Sequence, residues 1–224
     1  LILVTRTGSK LHGLKEKLEK TYGVDVEIYS ADLSVKEERQ KLFDYTTSNH
    51  MIVENLINNA GFGNADAYLD TPWELQKNMV DINVVALMHL SHLYGNEMKK
   101  RRKGRILNVA SVAAFSAGPY MSVYYASKAF VFSLSQAMYE ELKGYGVSVT
   151  ALCPGPTGTN FENTAGLTNS KMFKVFGVEK ADSVVKRGYK GMMRGKAIVY
   201  HSKVTYGFNI ITRLASRKCA RNIA

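Results

Sequence analysis

The most chemically informative pair in the sequence is Tyr124 and Lys128, which lie four residues apart. On a helix this spacing places both side chains on one face, so the ammonium can lie beside the phenol. A free phenol has a pKa of about 10, and a neighbouring cation stabilises its ionised form. The pair therefore predicts a proton-transfer site in which Lys128 lowers the pKa of Tyr124. Tyr125 lies three residues before Lys128, and helical spacing alone does not choose between the two tyrosines.

A third polar side chain, Ser111, directly follows an apolar run that is typical of a buried strand. Similar runs, rich in Val and Ile, alternate with amphipathic stretches along the chain, which is typical of βαβ units around a parallel sheet. The sequence thus predicts a Rossmann-type, doubly wound α/β fold with helices on both faces of the sheet, in one domain over residues 1–224. In such folds ligands bind beyond the carboxyl ends of the strands.

The predicted strands are LILVTR, VDVEIYSAD, VENLINNAG, GRILNVAS, VSVTALCPG and KAIVYH, in chain order. Helices are predicted over about 10–22, over about 34–47 with Ser34 as N-cap, and after Pro72 as one long helix to about 98. Further helices are predicted over about 124–145 and 181–193, and a basic amphipathic helix is predicted at the C-terminus.

The composition agrees with this organisation, since 224 residues with 46% hydrophobic content can build one large core. Two cysteines, Cys153 and Cys219, are too few for a disulfide framework and favour a reducing compartment, so we expect a cytoplasmic protein. His89 and His92 have no third ligand at suitable spacing, and no metal site is predicted. The run KKRRKGR at 99–105 is interpreted as a solvated helix end and not as a nucleic-acid site.

The net charge of +11 comes mainly from the segment 183–224, which holds ten Lys and Arg and no Asp or Glu. A basic segment suits an acidic partner, such as an anionic substrate carrier, a phosphorylated cofactor or a membrane surface, or it forms a solvated face. In the last predicted helix, one stripe is apolar and another is basic, which is compatible with peripheral membrane contact or with packing against the domain or a partner subunit. The stripes are Phe208, Ile211, Ala215 and Cys219, and Arg213, Arg217 and Arg221.

Five features together resemble the classical short-chain dehydrogenase/reductase family: NNAG at 58–61, Asn83 in DINVVAL, Ser111, the Tyr124 and Lys128 pair, and CPGPTGT at 153–159. Their order and approximate spacing match the family over essentially the whole chain, more loosely in the C-terminal third. Ala110 stands where the family often has a second serine. The family's serine-to-tyrosine interval selects Tyr124 over Tyr125.

The resemblance implies a role for each matching residue. Tyr124 would be the general acid in carbonyl reduction and the base in alcohol oxidation, and Lys128 would also hold the nicotinamide ribose. Ser111 would bind the substrate oxygen, and Asn83 would bend its helix around a water that relays protons.

The same resemblance implies that the chain opens on the family's second βα unit, so that the glycine-rich first unit is absent from the sequence as given. Thr5 and Arg6 would then meet the adenosine ribose, where an arginine favours NADP(H) over NAD(H). Asp32 and Leu33 would flank the adenine. The other expected cofactor contacts are Asn59, Ala60, Gly61, Tyr124, Lys128, Pro154, Gly155, Thr157 and Thr159.

The predicted function is NADP(H)-dependent interconversion of a ketone or aldehyde and an alcohol. Residues 160–178 would form a hydrophobic lid over a small-molecule substrate, such as a 3-oxoacyl thioester on an acidic carrier or coenzyme A, or another hydrophobic carbonyl compound. A homodimer or homotetramer is implied by the resemblance. The alternative is a non-catalytic NADP(H)-binding sensor or scaffold of the same fold.

Overall fold

The structure is a computed structural model that describes residues 1–159 and 177–215. It consists of two compact units, Leu1–Ile52 and Val53–Ala224. The expectation of a single domain over 1–224 stays a prediction. The predicted lid lies almost wholly outside the described residues, as do Arg217, Cys219 and Arg221.

The first unit is a βαβα segment. Strand β1 (Ile2–Thr5) leads through a 3₁₀ turn (Gly8–Leu11) into helix α1 (His12–Tyr22), and strand β2 (Glu27–Ser30) leads into helix α2 (Lys36–Ser48). The two strands are parallel, with Thr5 opposite Ser30. Their carboxyl ends therefore lie side by side, which brings together the loops that follow them.

The start of α2 differs from the prediction. Ser34 does not cap the helix, because Val35 occupies the N-cap position and makes no side-chain capping bond. The Ser34 backbone N–H and hydroxyl instead donate to Oδ1 of Asp32, at 2.9 and 2.6 Å. This local Asx-type turn satisfies Ser34 before the helix begins.

The second unit contains a four-stranded parallel sheet in the order β3-β4-β5-β6. Its strands are β3 (Asn55–Asn58), β4 (Gly104–Val109), β5 (Val147–Cys153) and β6 (Ile198–Tyr200). Its helices within the described residues are α3 (Trp73–Val80), α4 (Leu87–Arg101), α5 (Ser122–Leu142), α6 (Ala181–Met193) and α7 (Lys203–Leu214). The parallel strands, the crossover helices and the predicted order of elements confirm the Rossmann-type α/β prediction.

The centre of the core lies around β4 and β5, where Ile106, Val149 and Ala151 have no exposed surface. A buried polar chain crosses the same region. Asn58 on β3 donates to Asn108 on β4 at 2.8 Å, and Asn108 donates to Ser135 on α5 at 3.0 Å. Because these buried polar groups bond to one another, the hydrogen bonds fix the register of β3 against β4 and the position of α5 near the carboxyl ends of both strands.

The predicted long helix after Pro72 is interrupted by a π-helical segment, Asp81–Ala86, which joins α3 to α4. Such π segments are rare and occur mostly at functional sites. The run at 99–105 forms the end of α4 and the start of β4. Lys103 pairs with Glu54 at 2.6 Å and Lys99 lies 4.3 Å from the Tyr145 ring centroid. Among the described helices, none is both long and apolar enough to cross a membrane.

Candidate active site

The structure brings Ser111 and Tyr124 together at the carboxyl end of β4. Ser111 begins the 3₁₀ turn Val112–Phe115, and its Oγ accepts a hydrogen bond from the Ala113 N–H at 3.1 Å. The Ser111 hydroxyl also hydrogen-bonds with the Tyr124 phenol. Both side chains are buried, with 7% and 8% of their residue surfaces exposed. A fixed serine hydroxyl beside a phenol forms a site at which one substrate oxygen can contact both groups.

Tyr125 has a different environment, although its helical spacing to Lys128 is equally suitable. A Cβ atom added to Gly118 would lie 2.4 Å from Cε2 of Tyr125, so the ring lies directly against the Gly118 backbone. Tyr125 is therefore a packing residue whose ring meets that of Tyr124 edge-on, with centroids 6.3 Å apart.

Lys128 is a buried cation, with only 6% of its surface exposed. Its Nζ donates to the Val109 carbonyl at 2.8 Å and lies 5.8 Å from the Tyr124 ring centroid. Burial lowers the pKa of Lys128 to about 8, because removal of water penalises the charged form. An ammonium has three donors, and the Val109 bond uses one of them.

The expected lowering of the Tyr124 pKa is wrong in this structure. Burial raises the pKa of Tyr124 to about 12, and the hydrogen bond with Ser111 opposes that rise. The lysine does not reverse the effect because its ammonium is bonded to Val109 and not to the phenol oxygen. At neutral pH the phenol is consequently protonated and able to give up a proton.

Asn83 lies inside the π-helical segment and is 1% exposed. Its Oδ1 accepts from the Phe62 N–H at 3.0 Å, and its Nδ2 donates to the Phe62 carbonyl at 2.9 Å and to Ser127 Oγ at 3.1 Å. The amide thus ties the loop after β3 to α5, the helix that carries Tyr124 and Lys128. The water relay assigned to Asn83 stays a prediction.

The loop after β3 has the features needed to hold a nicotinamide cofactor close to Lys128. Asn59, Ala60 and Gly61 directly follow β3 and are exposed. A Cβ on Gly61 would lie 2.9 Å from Asn83 Oδ1 and 3.6 Å from Lys128 Nζ, so glycine leaves a narrow gap there. Within the described ranges only the Val109 carbonyl accepts from the Lys128 ammonium, so its two other donors, beside this gap, suit the hydroxyls of a ribose.

A second loop, which follows β5, carries Pro154, Gly155, Thr157 and Thr159. The Pro154 carbonyl accepts from the Val112 N–H at 2.8 Å, which joins this loop to the residue after Ser111. The Thr157 hydroxyl donates to the Gly155 carbonyl at 2.9 Å, and the Thr159 hydroxyl donates to the Thr157 carbonyl at 3.3 Å. A hydroxyl that donates can also accept, so the Thr157 hydroxyl can receive a hydrogen bond from a carboxamide.

The remaining predicted cofactor residues lie in the first unit. Thr5 ends β1, Arg6 follows it and is exposed, and Asp32 and Leu33 follow β2. The two Ser34 hydrogen bonds lower the pKa of Asp32, and the positive charge of Arg6 lowers it further. Sequence separation hides this proximity of Arg6 and Asp32, which results from the parallel pairing of β1 and β2.

Two supporting residues carry no sequence signal of their own. Ser127 anchors Asn83, as described above, and its hydroxyl donates to the Tyr124 carbonyl at 2.7 Å. Glu179 accepts from the Gly158 N–H at 3.0 Å and donates its own N–H to the Pro156 carbonyl at 2.9 Å, which holds the loop after β5. Such contacts depend on the fold and not on a local motif.

Comparison with known proteins agrees with this geometry. The family model described as short chain dehydrogenase matches residues 1–166. The mouse protein 17-beta-hydroxysteroid dehydrogenase type 3 is 32% identical over 195 residues, which cover 85% of this chain and 60% of that protein. A 7beta-hydroxysteroid dehydrogenase from Collinsella aerofaciens is 30% identical over 159 residues, which cover 71% of this chain and 60% of that protein. The chain thus spans about 60% of the length of these curated relatives.

Among solved structures, a short-chain dehydrogenase from Sphingobium yanoikuyae in complex with NADPH superposes with a TM-score of 0.84 at 27% identity. That match covers 95% of this chain and 83% of the other. The family match covers well over half of the sequence and includes Ser111, Tyr124 and Lys128. The chain therefore belongs to the short-chain dehydrogenase family.

Proposed function

We propose that the protein is an NADP(H)-dependent oxidoreductase that interconverts a hydrophobic ketone or aldehyde and the corresponding alcohol. The observation that carries the proposal is the buried hydrogen bond between the Ser111 hydroxyl and the Tyr124 phenol, with the Lys128 ammonium 5.8 Å from the ring centroid. A scaffold that only binds the cofactor has no need for the buried Ser111 and Tyr124 pair, in which one substrate oxygen can contact both hydroxyls.

Reduction follows from the protonation states of these residues. The nicotinamide of the bound cofactor supplies the hydride. Ser111 donates a hydrogen bond to the carbonyl oxygen and orients it. As negative charge develops on that oxygen, the Tyr124 hydroxyl transfers its proton to it, and the Lys128 charge stabilises the resulting phenolate. The pKa of about 12 keeps Tyr124 protonated beforehand, so the proton needed for reduction is already on the phenol.

The preference for NADP(H) rests on Arg6. Its guanidinium is exposed beside the end of β1, where it can pair with a 2′-phosphate. Asp32 is the competing anion, since the Arg6 charge already acts on it. The two oxygens of Asp32 are not equally available to Arg6, because Oδ1 already accepts the two Ser34 bonds. A guanidinium has five N–H donors, so Arg6 can bond to a phosphate even where it also contacts Asp32.

For the substrate we propose a bulky apolar carbonyl compound, because two relatives named above are hydroxysteroid dehydrogenases. A 3-oxoacyl thioester is the second class, and the basic segment 183–224 supports an anionic carrier for it. Side-by-side rates on a steroid ketone and on a 3-oxoacyl coenzyme A distinguish the two classes.

The test is NADPH oxidation by the protein in the presence of a panel of ketones and aldehydes, with Tyr124→Phe and the neighbouring Tyr125→Phe as matched variants. We expect Tyr124→Phe to lose at least about a hundredfold in kcat while it still binds NADPH, and Tyr125→Phe to retain most activity. Binding of NADPH by a protein that is inert to the whole panel would replace this proposal with the non-catalytic sensor or scaffold.

A further inference from the structure

Helix α7 has its polar and apolar faces in unusual positions. Its buried residues, Thr205 and Asn209, are polar and are 1% and 4% exposed. Five large apolar residues of this helix are exposed, up to Leu214 at 84%, whereas Phe208 is half-buried. We call these outward residues the α7 apolar face; they are Val204, Tyr206, Ile210, Ile211 and Leu214.

Hydrogen bonds explain why the polar side of α7 faces inward. Asn209 donates to the Tyr200 hydroxyl at 2.7 Å. Ser202 caps the helix by accepting from the Thr205 N–H at 3.1 Å. These bonds satisfy the buried groups, so the orientation of α7 is fixed and its apolar face is held towards solvent. A contiguous exposed apolar face of this kind marks an interaction surface.

A cationic cleft adjoins this face. Arg187, Lys190, Arg194 and Lys196 line a cleft of about 370 Å³ against β6, and among the residues that the structure describes no Asp or Glu lines it. Tyr200 joins the two features, because it lines the cleft and its ring lies 5.2 Å from that of Tyr206, centroid to centroid. The apolar face and the cations therefore form one continuous surface.

Helix α6 likewise has an exposed apolar stripe next to basic residues. Its side packed on the sheet contains Val184, Gly188 and Met192. The next stripe, Val185, Tyr189 and Met193, is apolar and exposed, with members four residues apart. Two basic residues of the cleft, Arg187 and Lys190, lie on the third side, and Arg194 is the C-cap of the helix. Apolar and cationic stripes side by side on a helix are characteristic of segments that bind lipid–water interfaces.

The charge pattern favours an anionic surface over self-association. In a twofold dimer the patch packs against its own copy, so the cations nearest the axis would lie close to those of the other copy. Residues 183–224 contain no Asp or Glu that could compensate them. The α7 apolar face is also a convex helix surface, and a fluid lipid layer accepts such a shape without a matching groove. Exposed Tyr189 and Tyr206 have the amphipathic rings that are enriched at membrane interfaces.

We propose that the α7 apolar face and the adjoining cationic cleft dock the protein on a membrane surface rich in anionic lipids. The apolar side chains enter the boundary between headgroups and acyl chains, and the four cations contact the negatively charged headgroups.

The test is co-sedimentation of the full chain, with NADPH present, with vesicles of phosphatidylcholine alone or mixed with phosphatidylserine. We expect binding to the mixed vesicles that weakens as salt is raised, and little binding to the neutral ones. Ile211→Ser with Leu214→Ser should lower the apparent affinity about tenfold or more, because two exposed apolar anchors are removed. Leu69→Ser, at a 91% exposed position elsewhere, is the matched control and should bind normally.

A second pair of variants tests the charges. Arg194→Gln with Lys196→Gln should weaken binding to the mixed vesicles several-fold, whereas Lys17→Gln with Lys20→Gln on α1 should not. Circular dichroism and NADPH binding report whether each variant is folded. Equal binding to both kinds of vesicle, stronger retention on polyglutamate than on mixed vesicles, or a dimer that the Ile211 and Leu214 substitutions abolish would each overturn the proposal.

Discussion

The two compact units differ in how deeply their strands are buried. Within the described Leu1–Ile52 unit, β1 has no buried residue and α1 has none, whereas β5 is buried at six of its seven positions. The proposed proton-transfer residues lie in the deeply packed unit, and Arg6 and Asp32, proposed to contact adenosine, lie in the shallow one. Proton transfer therefore depends on burial, which sets pKa values and geometry, whereas selection between NADP(H) and NAD(H) depends on exposed charge.

The largest expected effect is the loss of turnover on replacing Lys128 with Met. The variant should lose about a thousandfold in kcat/KM, because the ammonium supports both the cofactor ribose and the Tyr124 phenolate. Steady-state NADPH oxidation with a responsive carbonyl substrate measures it. Retention of more than a tenth of the activity would contradict the role of Lys128.

The Lys128→Met substitution should also change the pH dependence of the free energy of unfolding, which is measured independently of activity. The folded-state pKa of Lys128, about 8, lies below its usual value of 10.5, so the unfolded chain binds more protons between these two values. This difference contributes about 3 kcal/mol of wild-type stability that is gained as the pH increases across that window and that Lys128→Met lacks, whereas the Cys153 thiol, whose pKa burial raises, opposes the gain above about pH 9 in both proteins. Urea unfolding at several pH values below about 10 checks the sign of this change in stability. Above that pH the ionisation of Tyr124 contributes in the opposite direction. Identical slopes in both proteins would show that Lys128 is not buried as described.

The next comparison is the local stability of the two units. Amide hydrogens of Ile2–Thr5 should exchange about a hundredfold faster than those of Gly104–Val109, because a two-stranded sheet without buried residues opens more easily. Addition of NADPH should slow exchange in the first unit, where Arg6 and Asp32 are proposed to contact the adenosine, since ligand binding stabilises the segments it contacts. Hydrogen exchange with mass spectrometry resolves both regions. Equal protection of the two strands would remove the distinction between the units.

Replacement of Arg6 with Asp should weaken kcat/KM for NADPH about thirtyfold and leave that for NADH unchanged or improved. The expected loss is that of a charge-assisted hydrogen bond to phosphate, about 2 kcal/mol. Lys10→Asp makes the same charge change in the same unit and should have little effect. Unchanged selectivity in Arg6→Asp would remove the basis for the NADP(H) preference.

The smallest effect is expected for Ser34→Ala. Loss of the hydroxyl bond to Asp32 should raise the pKa of Asp32 toward its usual value and weaken NADPH binding only a few-fold, because the Ser34 N–H still donates. Carboxyl NMR titration and isothermal calorimetry measure the two quantities. A loss as large as that of Arg6→Asp would mean that Asp32 has a greater role than Arg6.

The sequence predicts the order of strands and helices well because apolar periodicity reports burial directly. Helix α6, predicted over about 181–193, is observed at Ala181–Met193. The π-helical segment at Asp81–Ala86 is not predictable, because its side chains continue the helical pattern while its backbone hydrogen bonds change. The sequence cannot distinguish a helix cap from an Asx-type turn at Ser34, because the same residue types form both.

Two features of the candidate site cannot be predicted from the sequence, because they depend on side-chain burial and on strand pairing. The spacing of Tyr124 and Lys128 indicates shared orientation, but the sign of the Tyr124 pKa shift depends on desolvation, which becomes visible only in the folded protein. The proximity of Arg6 and Asp32 likewise requires the β1–β2 register. The outward apolar face of α7 is the clearest example, because its composition is that of an ordinary packed helix and only its orientation reveals the exposed surface.

The measurement that tests the proposed proton-transfer site most directly is the pH dependence of NADPH-dependent carbonyl reduction between about pH 6 and 10. With Lys128 titrating at about 8 and Tyr124 at about 12, kcat/KM should be flat below pH 8 and fall about tenfold per pH unit above it, as Lys128 loses its charge. A rate that stays constant or rises through this range would contradict the assignment of Lys128 and Tyr124.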